Sequence, residues 1–248
     1  MKHSEYVRDV INGDTAVLFI HGILGTPNHF QRFISLIPEN WAVHNILLDG
    51  HGKTVRDFSK SSMEKWKKNV SDRLDYLTGR YENIIIVAHS MGTLFAIKES
   101  IRNPSQVKLL FLLAAPLKIF VKPSAVLNSF KVIFKISGND EVAIAAKESY
   151  SVEPSWKIWE YAGWIPRYME FFKEVSNIRG LISDIKVPCV VYQSYKDELV
   201  ARSSCKYLNR NPSIKINMLS TSRHFYYTED DYEYLLSDFK RLCSKYHR

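Results

Sequence analysis

The sequence predicts an α/β fold: a mostly parallel sheet flanked by helices on both faces. Three observations carry this. Six short β-branched or leucine-rich runs recur at 16–20, 43–48, 84–88, 107–113, 189–193 and 214–219, each apolar enough to be a strand buried on both faces. Helical patterns lie between several of them, and strand–helix alternation leads to a parallel sheet covered on both sides. The chain of 248 residues, 46% hydrophobic and 24% charged, has the make-up of a soluble globular protein with a sizeable core, which excludes disordered and collagen-like classes.

Taken in order, the first run is followed by Pro27 and a helical pattern at Phe30, Phe33, Ile34 and Ile37. After the second run, Met63, Trp66, Val70, Leu74 and Leu77 keep helical spacing up to Gly79, and Ser61 with Glu64 has the spacing of a capping box at the start of that helix. Leu94, Ile97 and Ile101 continue a helix after the third run, while Leu235, Phe239, Leu242 and Tyr246 mark a closing helix. One interval breaks the rhythm: about 70 residues separate the fourth run from the fifth, far more than a crossover helix needs. Residues 117–167 are therefore expected to be a mostly helical cap inserted after the fourth strand. It would hold Trp156, Trp159, Trp164 and the apolar stretches 119–121 and 132–136, with Tyr168, Phe171, Phe172 and Val175 returning to the core. Residues 1–116 and 168–248 then form the core domain.

The longest nearly uncharged apolar run, 109–117, contains Pro116 and is far short of the ~20 residues a spanning helix needs, so no stable membrane insertion is expected. The first strand runs straight into His21 rather than a small-residue cleavage site, so no secretory signal is expected. Cys189, Cys205 and Cys243 are too few and too scattered for a disulfide framework or zinc site and point to a reducing cytoplasm. The net charge of +8 favours anionic surfaces at long range. Its clearest cluster, Lys240, Arg241, Lys245 and Arg248, reads as a solvated helix face, because no nucleic-acid-binding motif accompanies it.

Chemistry concentrates where the third strand meets the helix after it, in I-I-I-V-A-H-S-M-G-T-L-F-A-I at 84–97. Ser90 stands at the junction with Ala88 and Gly92 two positions to either side. A strand-to-helix turn tight enough to lift a serine out of the sheet brings backbone close at those positions, which is the nucleophile-elbow pattern with alanine for its first glycine. A serine capping an ordinary helix would share part of it. A serine hydroxyl needs a base, itself oriented by a third group. His224, in T-S-R-H-F after the last strand, and Asp197, in S-Y-K-D-E-L-V after the strand before, supply both. In a parallel sheet the loops at the carboxyl ends of strands share one edge. His51 is the rival base and Glu198 the rival acid, whereas His89, next to the serine, should point away from it. The backbone N–H groups of Ile23, in F-I-H-G-I-L-G, and of Met91 are assigned as oxyanion donors. His21 is expected to bond within its own loop.

With these residues in view, the chain resembles an α/β-hydrolase, and within that superfamily the bacterial carboxylesterase and monoacylglycerol lipase group. The resemblance rests on F-I-H-G-I-L-G at 19–25, L-D-G-H-G-K at 48–53, A-H-S-M-G at 88–92, K-D-E-L-V at 196–200 and S-R-H at 222–224. It implies Ser90 as nucleophile, His224 as base, Asp197 as orienting acid and the segment after Leu113 as a lid over an acyl pocket. Ala88 for glycine, Asp49 before G-H-G and Ala201 after Val200 depart from the pattern. The expected reaction is hydrolysis of short- to medium-chain carboxylic esters through an acyl-enzyme, with no metal or organic cofactor and a small-molecule ester as partner. The sequence sets no oligomeric state. A thioesterase, an amidase, a carbon–carbon bond hydrolase or a non-catalytic ligand-binding homologue would share the same fold.

Overall fold

The computed structural model describes residues 3–122 and 141–246. The expected apolar stretch 132–136 and the basic residue Arg248 lie outside them. The elements are β1 (Tyr6–Arg8), β2 (Thr15–Ile20), α1 (Gln31–Ile34), β3 (Ala42–Ile46), α2 (Val55–Ser59), α3 (Met63–Thr78), β4 (Asn83–His89), α4 (Met91–Arg102), β5 (Val107–Leu113), α5 (Glu141–Ser149), α6 (Trp164–Leu181), β6 (Cys189–Ser194), α7 (Cys205–Leu208), β7 (Ile214–Leu219) and α8 (Glu229–Cys243).

The seven strands form one sheet in the order β1-β3-β2-β4-β5-β6-β7. All neighbours pair in parallel except β1, which runs antiparallel to β3 at the edge. Side chains alternate along the strands, so each strand feeds two cores. Leu18, Ile86 and Leu112 face Trp66 and Val70 of α3, Leu94 and Ile97 of α4, and Val175 and Ile178 of α6. On the other face, Phe19, Val87 and Phe111 pack with Phe33 of α1 and Leu235 and Phe239 of α8. Burial on both sides is why the central strands are uninterrupted apolar runs.

Two differences from expectation come from tertiary contacts. β1 is short, charged and half exposed, and its identity comes from pairing with β3 rather than from any pattern of its own. The capping box expected at Ser61 and Glu64 does not form. Ser62 is the cap, its hydroxyl accepting from Lys65 N–H at 3.2 Å, while Glu170 of α6 reaches across to accept from Met63 N–H at 2.8 Å. That tertiary contact satisfies a helix-start donor, and the helix begins one residue later than the spacing implied. The reciprocal box stands instead on α2, between Thr54 and Asp57. Within the expected cap, the described chain holds α5, a 3-10 turn at Ile158–Gly163 and the start of α6. Helix α6 carries the backbone unbroken through residues 167 and 168, where cap was expected to give way to core. No described helix is long and apolar enough to cross a membrane.

Candidate active site

Ser90 sits between β4 and α4 with φ +52° and ψ −125°, a conformation that L-residues avoid at a cost of roughly 1–3 kcal/mol. The turn is held by Ser90 N–H donating to Leu113 O at 2.9 Å and by Ser90 O accepting from Thr93 N–H at 2.9 Å and its hydroxyl at 2.7 Å. Gly92 is required by closeness: a Cβ there would stand 2.3 Å from Ile20 O and 2.7 Å from His21 O, both backbone atoms that cannot swing aside. The first turn of α4 is therefore pressed against the end of β2, and Gly22 of the next loop against Ser90.

The sheet order brings the other two polar residues to the same edge. His224 Nε2 lies 3.1 Å from Ser90 Oγ, and His224 Nδ1 lies 2.9 Å from Asp197 Oδ2. The second carboxylate oxygen of Asp197 accepts from Leu199 N–H and Val200 N–H, each at 2.8 Å. With Asp197 accepting at Nδ1, the free lone pair of the imidazole faces the serine. Burial opposes a charged imidazolium at His224, but the charge and hydrogen bond of Asp197, with Glu198 behind them, outweigh it and raise the pKa above 6.5. Burial likewise opposes the Asp197 carboxylate, and His224 with the two loop amides holds its pKa below the ordinary value.

Ile23 follows Gly22 and lines the same cavity as Ser90. Among the described residues its N–H has no acceptor, whereas the next amide, Leu24 N–H, donates to His51 Nε2 at 3.1 Å. Met91 is the first residue of α4, directly after the serine. His51 is thus not a base on Ser90: one nitrogen receives Leu24 N–H, the other bonds Asp49 O at 3.2 Å, and burial lowers its pKa to about 4. His21 bonds within its loop to Gly22 O at 2.8 Å and receives Leu48 N–H at 3.1 Å. Glu198 does not touch the imidazole; its carboxylate accepts from the backbone N–H of His224 at 3.2 Å. His89 donates from Nε2 to His224 O at 3.0 Å. Sequence reasoning assigned neither of these last two contacts, since side-chain direction at the end of a strand depends on what packs there.

A cavity of about 490 Å³ opens beside Ser90 and His224. Leu24, Val200 and Phe225 form part of its wall, and Ile119, Val152, Trp164, Tyr168 and Phe171 are among the rest. Of the three tryptophans expected in the cap, only Trp164 lines it. Trp156 and Trp159 are 77% and 63% exposed and meet edge to face at 5.9 Å.

The family model described as serine aminopeptidase, S33, matches residues 12–231. The chain is 30% identical over 109 residues to a carboxylesterase of Bacillus subtilis (strain 168), a match covering 43% of this chain and 44% of that protein. It is 28% identical over 82 residues to a thermostable monoacylglycerol lipase of Bacillus sp. (strain H-257), covering 33% of each. The matches thus span less than half the length of either relative. Among solved structures, one of the metagenome-derived lipolytic enzymes LipS and LipT superimposes with a TM-score of 0.73 at 16% identity, covering 98% of both chains. The monoacylglycerol lipase of Paleococcus ferrophilus gives 0.70 at 16% identity over 98% of this chain and 99% of that one, and at such identity the likeness is one of fold. The α/β-hydrolase fold and the match along most of the sequence agree, and the chain belongs to the serine aminopeptidase S33 family of α/β-hydrolases.

Proposed function

We propose that the protein is a serine hydrolase that cleaves carboxylic esters of short to medium acyl chains through an acyl-enzyme. The observation that carries this is the chain of hydrogen bonds from Ser90 Oγ through His224 to Asp197, ending on an apolar cavity. In the proposed cycle Ser90 Oγ attacks the ester carbonyl while His224 Nε2 takes its proton. The N–H groups of Ile23 and Met91 receive the developing oxyanion, and His224 then protonates the departing alcohol. Water repeats the sequence on the acyl-serine and frees the acid. Asp197 keeps the imidazole in the tautomer that can accept at Nε2.

The cavity wall favours esters over peptide amino termini. Among its described lining residues the charged group is Lys147, and there is no carboxylate to hold an ammonium; a wall of isoleucine, valine, tryptophan and phenylalanine suits an acyl chain. Burial at about 0.8 kcal/mol per CH₂ raises kcat/KM roughly fourfold per carbon until the cavity is full. A panel of p-nitrophenyl esters from acetate to palmitate, beside an aminoacyl p-nitroanilide, tests this. The expected result is a climb to medium chains followed by a fall, with Ser90→Ala slower by about 10³-fold or more. A Ser90→Ala enzyme retaining a tenth of the activity, or faster cleavage of the anilide, overturns the proposal.

A further inference from the structure

The backbone of His224 is gripped at both ends by side chains outside the hydrogen-bonded chain that ends on Ser90. Its N–H donates to Glu198 Oε2 at 3.2 Å, and its C=O accepts from His89 Nε2 at 3.0 Å. All three residues are buried. His89 is the residue immediately before Ser90, so this second bond ties the loop after β7 directly to the strand that presents the serine. We propose that Glu198 and His89 are positioning residues that clamp the His224 backbone and so set the imidazole within reach of Ser90. The inference rests on the esterase reading above.

The loop needs such a device. His224 lies in a stretch without regular secondary structure between β7 and α8, and an imidazole on a loose loop would sample many positions. Upstream, the loop is fastened by Asp231, whose carboxylate accepts from Ser222 N–H at 2.9 Å and the Ser222 hydroxyl at 2.7 Å. Between Ser222 and α8 the clamp holds the imidazole-bearing residue itself. Both contacts have defined chemistry. His89 is neutral, because burial and the neighbouring His29 and His224 hold its pKa well below 6.5, and the proton it carries is the one it donates. Its ring packs against His29 at 4.3 Å and against the His224 ring at 4.8 Å, which fixes the direction of that donor. Glu198 has a second effect, since its negative charge adds to that of Asp197 in favouring the protonated imidazole. The titratable and charged groups around His224 are therefore Asp197 and Glu198 from the loop after β6, His89 at the end of β4 with His29 behind it, Lys147 on the wall of the shared cavity, and Lys122, whose ammonium donates to Asp197 O at 2.7 Å.

The two halves of the clamp are separable by substitution. Gln at 89 retains a donor at the reach of Nε2, whereas Met fills similar space without one. Gln at 198 keeps an acceptor and loses the charge, whereas Met loses both. Because misplacing a reacting group by about 1 Å can cost ~10²-fold, His89→Met and Glu198→Met are expected to lower kcat toward p-nitrophenyl butyrate between ten- and a hundredfold with KM within about twofold. His89→Gln is expected to recover most of the rate. Glu198→Gln is expected to stay within a few-fold of wild type at high pH and to shift its acidic limb to lower pH, because the active imidazole is the neutral one. Thermal denaturation of each variant identifies any that fail to fold. Imidazole ¹⁵N shifts of His224, titrated in wild type and Glu198→Gln, give the same pKa comparison without turnover. A His89→Met enzyme with wild-type kcat, a rate that His89→Gln does not restore, or an unmoved His224 pKa in Glu198→Gln overturns the clamp. Loss of the esterase reading looks different: wild type and Ser90→Ala are then equally inert, while the NMR titration still reports on Glu198.

Discussion

Acid should destabilise this protein through its buried histidines, among them His29, whose pKa burial lowers to about 3, and three whose imidazoles are almost wholly enclosed. His21, His51 and His89 are each at most 2% exposed. Burial, the largest cause in each case, drops the His51 pKa to about 4 and holds those of His21 and His89 well below 6.5. The hydrogen bonds show why a second proton has no place: Nε2 of His21 already receives Leu48 N–H and Nε2 of His51 receives Leu24 N–H, so protonation would set N–H against N–H. In the unfolded chain the same imidazoles titrate near 6.5. The unfolded state therefore binds more protons below that pH, and stability falls as pH falls, by up to ~1.4 kcal/mol per pH unit for each histidine. Between pH 7 and pH 5.5 the three together remove roughly 4 kcal/mol, a large share of the 5–15 kcal/mol typical of a folded protein. His224, whose pKa is raised, works in the opposite sense and trims that loss. Urea unfolding followed by tryptophan fluorescence at the two pH values measures the difference, and His51→Gln should reduce it by about 1 kcal/mol. Equal unfolding free energies at pH 7 and pH 5.5 would refute the reasoning.

Gly92→Ala must open a 2.3 Å contact with Ile20 O by about 1 Å; overpacking of that kind costs about 1–3 kcal/mol, so Tm should fall by several degrees and ester turnover with it, and a variant matching wild type in both would contradict the pressed turn. Asp197→Asn should lose about 10³–10⁴-fold in kcat, because the amide favours the wrong tautomer of His224, while Glu198→Gln loses far less at high pH; the reverse ranking in the same assay would move the orienting role to Glu198. Activity measured shortly after a pH jump should rise with pH through an apparent pKa above 6.5, since Asp197 and Glu198 raise that of His224 and only the neutral imidazole accepts a proton, and a flat profile from pH 5 to 8 would exclude His224 as the base.

Much of the architecture was legible because burial on two faces leaves a strand no freedom in composition. The run 107–113 coincides with β5, buried at all but one position, to the residue; the run 214–219 coincides with β7 as well, although that edge strand is buried only at its two ends. Ser90 was legible for a related reason: a turn that brings Gly92 against the Ile20 carbonyl tolerates only small residues around the serine, so the steric demand is written in the chain itself. Features that depend on a distant partner were not legible. β1 exists only through β3, and α3 starts at Met63 because Glu170, far along the chain, supplies the acceptor. The same holds at the candidate site. Sequence placed Ser90, Asp197 and His224 in loops at one sheet edge, but their separations of 2.9 and 3.1 Å follow from the side-by-side order of β4, β5, β6 and β7. Which nitrogen of His89 meets the His224 carbonyl, and that Glu198 turns to the backbone rather than the imidazole, are set by packing around those side chains. Local sequence determines what a segment must be in order to be buried or to turn; which groups then meet is decided by the tertiary structure, because hydrogen bonds between residues a hundred or more positions apart exist only once the sheet has assembled.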